Sequence, residues 1–132
     1  RELQSAFRRA EPEGLLWLRD LSNADLPALY SGAIALCYPS LYEGFGLPIL
    51  ESMACGTPVL TSDRGAMKEV AGDAALLVDP ESVDALHAGL EALIGNSELR
   101  KALKDKGLAR AKEFTWERTA RQMWEIYREA AG

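Results

Sequence analysis

The sequence predicts an α/β fold, a Rossmann-like parallel sheet with flanking helices. Short apolar runs of strand length alternate along the chain with segments of helical periodicity. The strand-like runs lack the polar alternation of a half-exposed sheet, which indicates parallel strands covered by helices. The 132 residues, 48% of them apolar and 27% charged, suit one globular domain.

The first third of the chain predicts two strands joined by a helix. GLLWLRDL (residues 14–21) and AIALCYP (residues 33–39) are apolar runs of strand length, the second typical of a strand buried on both faces. Between them, Ser22 and Asp25 have the spacing of a capping box, whereas Pro27 favours a later helix start near Asp25.

The middle of the chain continues the alternation of helices and strands. LPILESMAC (residues 47–55) predicts a short helix, with Pro48 in its first turn and Gly56 as its terminator. The pattern beyond it predicts strands over 58–62 and 74–79, with a helical turn over 65–72 between them.

Three segments of helical periodicity close the chain. Their apolar residues run from Val83 to Leu93, from Leu99 to Leu108 and from Trp116 to Tyr127. Thr115 has the position of an N-cap for the third helix. Trp116 and Trp124 share the apolar stripe of that helix, so we expect both in the core.

Composition argues against several classes of protein. The net charge of −5 disfavours a nucleic-acid binder, and no run of 18 apolar residues predicts a membrane span. Cys37 and Cys55 fit neither a disulfide framework nor a metal site, and we interpret them as reduced residues of a cytoplasmic protein. The chain starts at Arg1 without a targeting segment, so we expect it to be cut from a longer protein.

The stretch SLYEGFGLPILESMACGTPV (residues 40–59) carries the candidate site. It leaves a predicted strand and enters a helix, the position where open parallel sheets bind ligands. Gly44 and Gly46 allow the backbone to approach a ligand, and the amides of Phe45 and Leu47 are expected to point outward with theirs. A helix start adds unpaired N–H groups and partial positive charge, so an anion such as phosphate is the natural ligand.

Two glutamates flank this glycine turn. A carboxylate accepts two hydrogen bonds from a vicinal diol, so Glu51, one turn into the helix, suits a ribose. Glu43, on the other side of the turn, suits a second set of hydroxyls such as a sugar ring. Diol, phosphate and polyol together describe a nucleotide sugar. The structural alternatives stay open: Glu43 as a solvated loop residue, and Glu51 as part of a surface helix face.

Other polar residues are interpreted as structural. Glu69 and Asp73 are expected in a solvated turn, and His87 on a helix surface. No metal site is expected, because the acidic residues are spread along the chain and no DxD motif occurs.

The segments PSLYEGFGLPILESMACGTPVLTS, EVAGDAALLVDP and FTW resemble the retaining glycosyltransferases of the GT-B fold called group 1 or family 4. The family's Glu-x7-Glu pattern matches Glu43 and Glu51. The resemblance implies that residues 1–132 form part of the nucleotide-sugar-binding, C-terminal domain.

The resemblance also implies residue roles. Glu43 corresponds to the catalytic acid that faces the transferred sugar, and Glu51 to the ribose-binding acid. Gly44, Phe45, Gly46 and Leu47 correspond to the backbone cradle for the sugar and diphosphate. Leu18 and Arg19, in WLRD, correspond to the strand end near the nucleotide base.

The family transfers a sugar, here a hexose such as mannose or glucose, from a nucleotide diphosphate to a hydroxyl with retained configuration. Its members also have an acceptor domain and an Arg and a Lys that grip the diphosphate, and this chain is expected to begin after them. We therefore expect the chain alone to be inactive. We also expect its parent to be cytoplasmic, in reach of the inner face of a membrane.

A partial domain leaves an exposed strand edge. The strand over 14–21 is expected either to re-pair with that over 33–39 or to be hidden by association of two chains. The alternative functions are a non-catalytic nucleotide-sugar-binding module and a GT-B epimerase.

Overall fold

The computed structural model describes residues 14–132. Nine helices and strands follow one another along this range, and the last three are helices. They are α1 (Leu26–Gly32), β1 (Leu36–Tyr38), α2 (Leu47–Ala54), β2 (Val59–Ser62), α3 (Gly65–Ala71), β3 (Leu76–Val78), α4 (Val83–Gly95), α5 (Ser97–Ala111) and α6 (Trp116–Ala130).

The three strands form one parallel sheet in the order β1-β2-β3. Leu36 of β1 aligns with Val59 of β2, and Leu60 of β2 aligns with Leu76 of β3. Val59 and Leu60 are both fully buried, in two different apolar clusters, so helices cover β2 on both faces. The predicted α/β fold with a parallel sheet and flanking helices is confirmed.

The two clusters divide the helices between the faces of the sheet. On one face, Ile49 and Met53 of α2 pack with Met67 and Val70 of α3. On the other, Leu93 of α4 and Leu103 of α5 pack on Leu60, with the partly buried Leu76, Val78, Leu86, Leu90 and Leu99 around them. Burial of these apolar side chains is the main favourable term of the fold.

One glycine permits the close approach of α4 to the sheet. A Cβ atom at Gly89 would lie 2.5 Å from Leu60 Cδ1 and 3.2 Å from Val78 Cγ1. A larger residue at position 89 would push α4 away from β2 and β3.

Side-chain caps begin three of the helices. The side chains of Ser82, Asn96 and Thr115 accept hydrogen bonds from the amides of Ala85, Leu99 and Arg118. The predicted cap at Thr115 is therefore confirmed. Asp25 precedes α1, which confirms the later start favoured by Pro27.

The prediction of a strand over 14–21 is wrong. The segment forms no ladder in the described chain, and β1 pairs with β2 alone, so the expected re-pairing is also wrong. A strand needs a partner for its backbone groups, and the apolar pattern of the segment does not supply one. The association of two chains at the free edge of β1 stays a prediction.

Two burial predictions also need correction. Cys37, in the middle of β1, is exposed, because β1 is the edge of the described sheet and is not covered on both faces. Trp116 and Trp124 are 81% and 68% exposed, so they are not core residues. None of the residues of α6 is buried. Within 14–132 the helices are too short or too polar to cross a bilayer.

Candidate functional site

The candidate site is built at the carboxyl end of β1. Tyr38 ends this strand, and its carbonyl oxygen accepts a hydrogen bond from Thr61 Oγ1 of β2 across 2.8 Å. The loop of residues 39–46 then leads directly into α2. The sheet therefore fixes one end of the loop, and the helix fixes the other.

Gly46 makes the sharp turn from the loop into α2. Its φ of 94° lies in the left-handed region, and its carbonyl accepts the first hydrogen bond of the helix from the Ile49 amide at 3.0 Å. A Cβ atom here would lie 3.2 Å from Ile49 Cδ1 and 3.4 Å from Met67 Sδ. Gly44, in contrast, has open space around the position of a Cβ atom.

Four consecutive amides of the glycine turn, at residues 44–47, are unpaired. Within 14–132, the N–H groups of Gly44, Phe45, Gly46 and Leu47 donate no hydrogen bond. Pro48 follows in the first turn of α2 and has no N–H group. A helix N-terminus with free donors and the positive end of its dipole favours a negatively charged ligand. The use of these amides as a backbone cradle for a ligand stays a prediction.

Glu43 is held by two hydroxyl groups. Tyr38 Oη donates to Glu43 Oε1 across 2.7 Å, and Ser40 Oγ donates to the same oxygen across 3.0 Å. These hydrogen bonds, the one from Tyr38 first, hold the pKa of Glu43 below its usual value. Both donors meet at Oε1, and Oε2 accepts no hydrogen bond from the described chain.

Glu51 is held in a similar way from a different helix. Tyr30 Oη of α1 donates to Glu51 Oε2 across 3.1 Å, and Glu51 is exposed on α2. Burial is the largest cause, and this hydrogen bond the second, of the rise in the pKa of Tyr30 to about 12. The phenol therefore stays a donor at neutral pH, and Glu51 Oε1 accepts no hydrogen bond within residues 14–132.

Two cavities meet at Glu51. The first, of about 270 Å³, lies between α2 and the start of α6 and is lined by Phe45, Leu47, Glu51, Phe114 and Trp116 among others. The second, of about 350 Å³, lies between α1 and α2 and is lined by Asn23, Tyr30 and Glu51 among others. The structure thus brings Phe45, Leu47 and Glu51 together, whereas Glu43 lines neither cavity.

An aromatic contact joins the glycine turn to the segment that precedes α6. The ring of Phe45 meets the ring of Phe114 edge to face, with centroids 6.0 Å apart. The Arg110 guanidinium lies 4.8 Å from the centroid of Phe114. The side chain of Phe45 therefore packs against the start of the FTW segment, and its amide remains the part available to a ligand.

Leu18 and Arg19 lie away from these cavities. The Arg19 guanidinium stacks over the Trp17 ring at 4.0 Å, and Leu18 is 43% exposed. Neither residue lines the two cavities at Glu51. Their role near a nucleotide base stays a prediction.

The polar residues interpreted as structural lie on the surface. The Asp73 carboxylate accepts from Lys106 Nζ at 2.8 Å, and Glu69 is exposed. His87 Nδ1 lies 3.6 Å from Glu91 Oε2 on the exposed side of α4. Across residues 14–132, His, Cys, Asp and Glu side chains form no group of three that could hold a metal ion.

Sequence reasoning missed the residues that hold the glutamates. Tyr38 and Ser40 lie five and three residues before Glu43, so their proximity along a turn was an available signal. Tyr30 lies 21 residues before Glu51, and only the packing of α1 on α2 reveals the contact. Phe114 is part of the FTW segment, in which the sequence predicts a cap at Thr115 and a core position for Trp116 but no role for Phe114.

Comparisons with known proteins agree with this fold. Residues 4–110 match the family described as glycosyl transferases group 1. The chain is 44% identical over 129 residues to O-antigen chain mannosyltransferase B of Escherichia coli, covering 96% of the chain and 33% of that protein. It is 44% identical over 114 residues to an MMP alpha-(1->4)-mannosyltransferase of Mycolicibacterium hassiacum, covering 83% of the chain and 28% of that protein.

A solved structure gives the same picture. Sucrose-phosphate synthase from Thermosynechococcus elongatus superposes with a TM-score of 0.86 and 29% identity, over 99% of the chain and 34% of that protein. The parallel sheet and its helices thus correspond to the Rossmann-like fold of GT-B proteins.

The chain belongs to the group 1 glycosyl transferases. It spans about a third of the length of the two mannosyltransferases and of the sucrose-phosphate synthase.

Proposed function

We propose that this chain is the donor-binding portion of a retaining glycosyltransferase that moves a hexose from a nucleotide diphosphate sugar to an acceptor hydroxyl. The observation that carries the proposal is the row of unpaired amides from Gly44 to Leu47, which lies between two glutamates that each keep one carboxylate oxygen available. In this proposal, residues 1–132 are part of a nucleotide-sugar-binding domain.

The amides and the N-terminus of α2 take the diphosphate. When the glycosyl phosphate bond breaks, negative charge grows on the leaving diphosphate. Oriented N–H groups stabilise this charge without having to reorganise, and they act more strongly where water is excluded. The left-handed turn at Gly46 fixes their orientation before the ligand arrives.

The two glutamates bind opposite ends of the donor. Glu51 accepts hydrogen bonds from the ribose diol through Oε1, while Tyr30 holds Oε2. Glu43 accepts from hydroxyls of the transferred sugar through Oε2, while Tyr38 and Ser40 hold Oε1. In this arrangement Glu43 touches the sugar as a carboxylate, in agreement with its lowered pKa.

The names of the relatives suggest which donors to test first. Two similar proteins are named as mannosyltransferases. We therefore place mannose before glucose as the transferred hexose, with GDP and UDP as the nucleotides. The acceptor domain and the cationic residues for the diphosphate lie, in this proposal, in the remainder of a longer parent protein.

The test is a donor screen on the full-length parent protein. Calorimetric titration with GDP-mannose, UDP-glucose, GDP and UDP measures binding, and NMR of the product measures the anomeric configuration. We expect binding of one nucleotide family and transfer with retained configuration. Binding without transfer to any acceptor would instead favour a nucleotide-sugar-binding module, and binding of none of the four ligands would contradict the proposal.

A further inference from the structure

We propose that Tyr38 and Ser40 are positioning residues for Glu43, and that their hydroxyl groups fix Oε1 so that Oε2 alone is presented to the sugar hydroxyls. The inference rests on the proposed function only for the identity of the ligand. The arrangement of the three side chains is a property of the structure itself.

Tyr38 is anchored before it reaches Glu43. Its carbonyl oxygen accepts from Thr61 at 2.8 Å, and its ring packs against the apolar cluster of α2 and α3. A phenol with a fixed backbone and a packed ring has few rotamers, so its hydroxyl is held at one place. The hydrogen bond of 2.7 Å from this hydroxyl therefore fixes the position of the Glu43 carboxylate.

Ser40 supplies the second donor from the loop itself. Its hydroxyl lies 3.0 Å from Glu43 Oε1 and 3.3 Å from the carbonyl oxygen of Tyr42. A serine hydroxyl has one hydrogen to donate, and an ionised carboxylate is a stronger acceptor than a neutral carbonyl. The hydrogen bond to Glu43 is therefore favoured, and it closes the loop over residues 40–43.

The consequence is an ordered carboxylate on an otherwise open loop. A glutamate side chain loses considerable rotamer entropy when it is fixed. Here the two hydroxyl groups impose that loss in the free protein, so a sugar that binds to Oε2 does not have to impose it again. Tyr38 is the titratable group that donates a hydrogen bond to Glu43. Among the described residues, no cation forms an ion pair with the Glu43 carboxylate.

Three substitutions separate the proposed role of the Tyr38 hydroxyl from a packing role of the Tyr38 ring. Tyr38→Phe keeps the packed ring and removes only the hydroxyl group. Tyr42→Phe is the matched control, because Tyr42 is 88% exposed and the hydrogen bonds to Glu43 come from Tyr38 and Ser40. Ser40→Ala removes the second donor by an independent route.

The first readout does not depend on any ligand. NMR titration of the glutamate carboxyl carbons in the 132-residue chain measures the pKa of Glu43. We expect Tyr38→Phe and Ser40→Ala each to raise this pKa, and Tyr42→Phe to leave it unchanged. An unchanged pKa in both of the first two variants would overturn the inference, whatever the protein binds.

The second readout separates the sugar from the nucleotide. On the full-length parent, we expect Tyr38→Phe to weaken binding of the nucleotide sugar about three- to tenfold, while binding of the sugar-free nucleoside diphosphate stays unchanged. Equal weakening of both ligands would mean a general disturbance of the loop and would overturn the inference. If the wild-type parent binds neither ligand, the proposed function fails, and the titration of Glu43 still decides the positioning role.

Discussion

Tyr30 of α1 and Glu51 of α2 are joined by a hydrogen bond of 3.1 Å between the phenol Oη and the carboxylate Oε2. The two residues are 21 positions apart in the sequence. Glu51 lines both cavities of the candidate site, and Tyr30 lines the cavity between α1 and α2. The hydrogen bond links the orientation of a proposed ligand-binding acid to the packing of a short helix.

The burial of Tyr30, together with this contact, predicts an alkaline loss of stability. The pKa of Tyr30 is raised in the folded chain to about 12, from an ordinary value of 10. The stabilising effect is complete below about pH 10, since the phenol is protonated there in both states, and it is lost as pH rises through the folded value. Urea unfolding of the wild type and of Tyr30→Phe should show a larger fall in stability for the wild type between about pH 9 and pH 12.

The control for this prediction is Tyr42→Phe, because Tyr42 is exposed. It should reproduce the pH dependence of the wild type. Equal pH dependence in the wild type and in Tyr30→Phe would show that the phenol of Tyr30 is not perturbed by folding.

Gly46 and Gly44 offer a matched pair in the same loop. Gly46→Ala puts a side chain at a φ of 94° and within 3.2 Å of Ile49 Cδ1, so we expect destabilisation by about 1–3 kcal/mol. Gly44→Ala has open space, so we expect a change within about 0.5 kcal/mol. Urea denaturation measures both, and equal effects of the two substitutions would contradict the role given to Gly46.

Arg110 connects the end of α5 to the end of α3. Its Nε donates to the carbonyl oxygen of Val70 at 3.0 Å, and its Nη2 donates to that of Glu69 at 2.8 Å. A lysine cannot reproduce this forked geometry, so Arg110→Lys should destabilise the chain by about 1–2 kcal/mol. Arg121→Lys, on the exposed α6, is the control and should change the free energy of unfolding by less than about 0.5 kcal/mol.

The contrast between confirmed and wrong sequence predictions has a physical basis. The helix over 47–55 and the strand over 58–62 were predictable because their apolar residues pack on elements that are close along the chain. The segment 14–21 has an equally apolar pattern but no strand beside it in the described chain. Periodicity reports the preference of a segment, whereas a strand also requires a partner.

The sequence pattern also does not reveal the packing partners of the last helix and of the site residues. The stripe from Trp116 to Tyr127 predicted an apolar helix face correctly, but not what covers it, and the tryptophans are exposed. The spacing of Glu43 and Glu51 marked the loop that carries the free amides. Tyr30 as the partner of Glu51 was not predictable, because this hydrogen bond depends on how α1 packs against α2.

The most direct test of the central claim compares Glu43→Gln with Glu51→Gln in the full-length parent, with Glu69→Gln, an exposed glutamate of α3, as control. Calorimetry with a nucleotide sugar and with its sugar-free diphosphate gives two affinities for each variant. We predict that Glu51→Gln weakens both ligands by about 1–3 kcal/mol and that Glu43→Gln weakens only the nucleotide sugar. If both variants bind both ligands as tightly as the Glu69→Gln control does, the two acids do not bind the two ends of the donor.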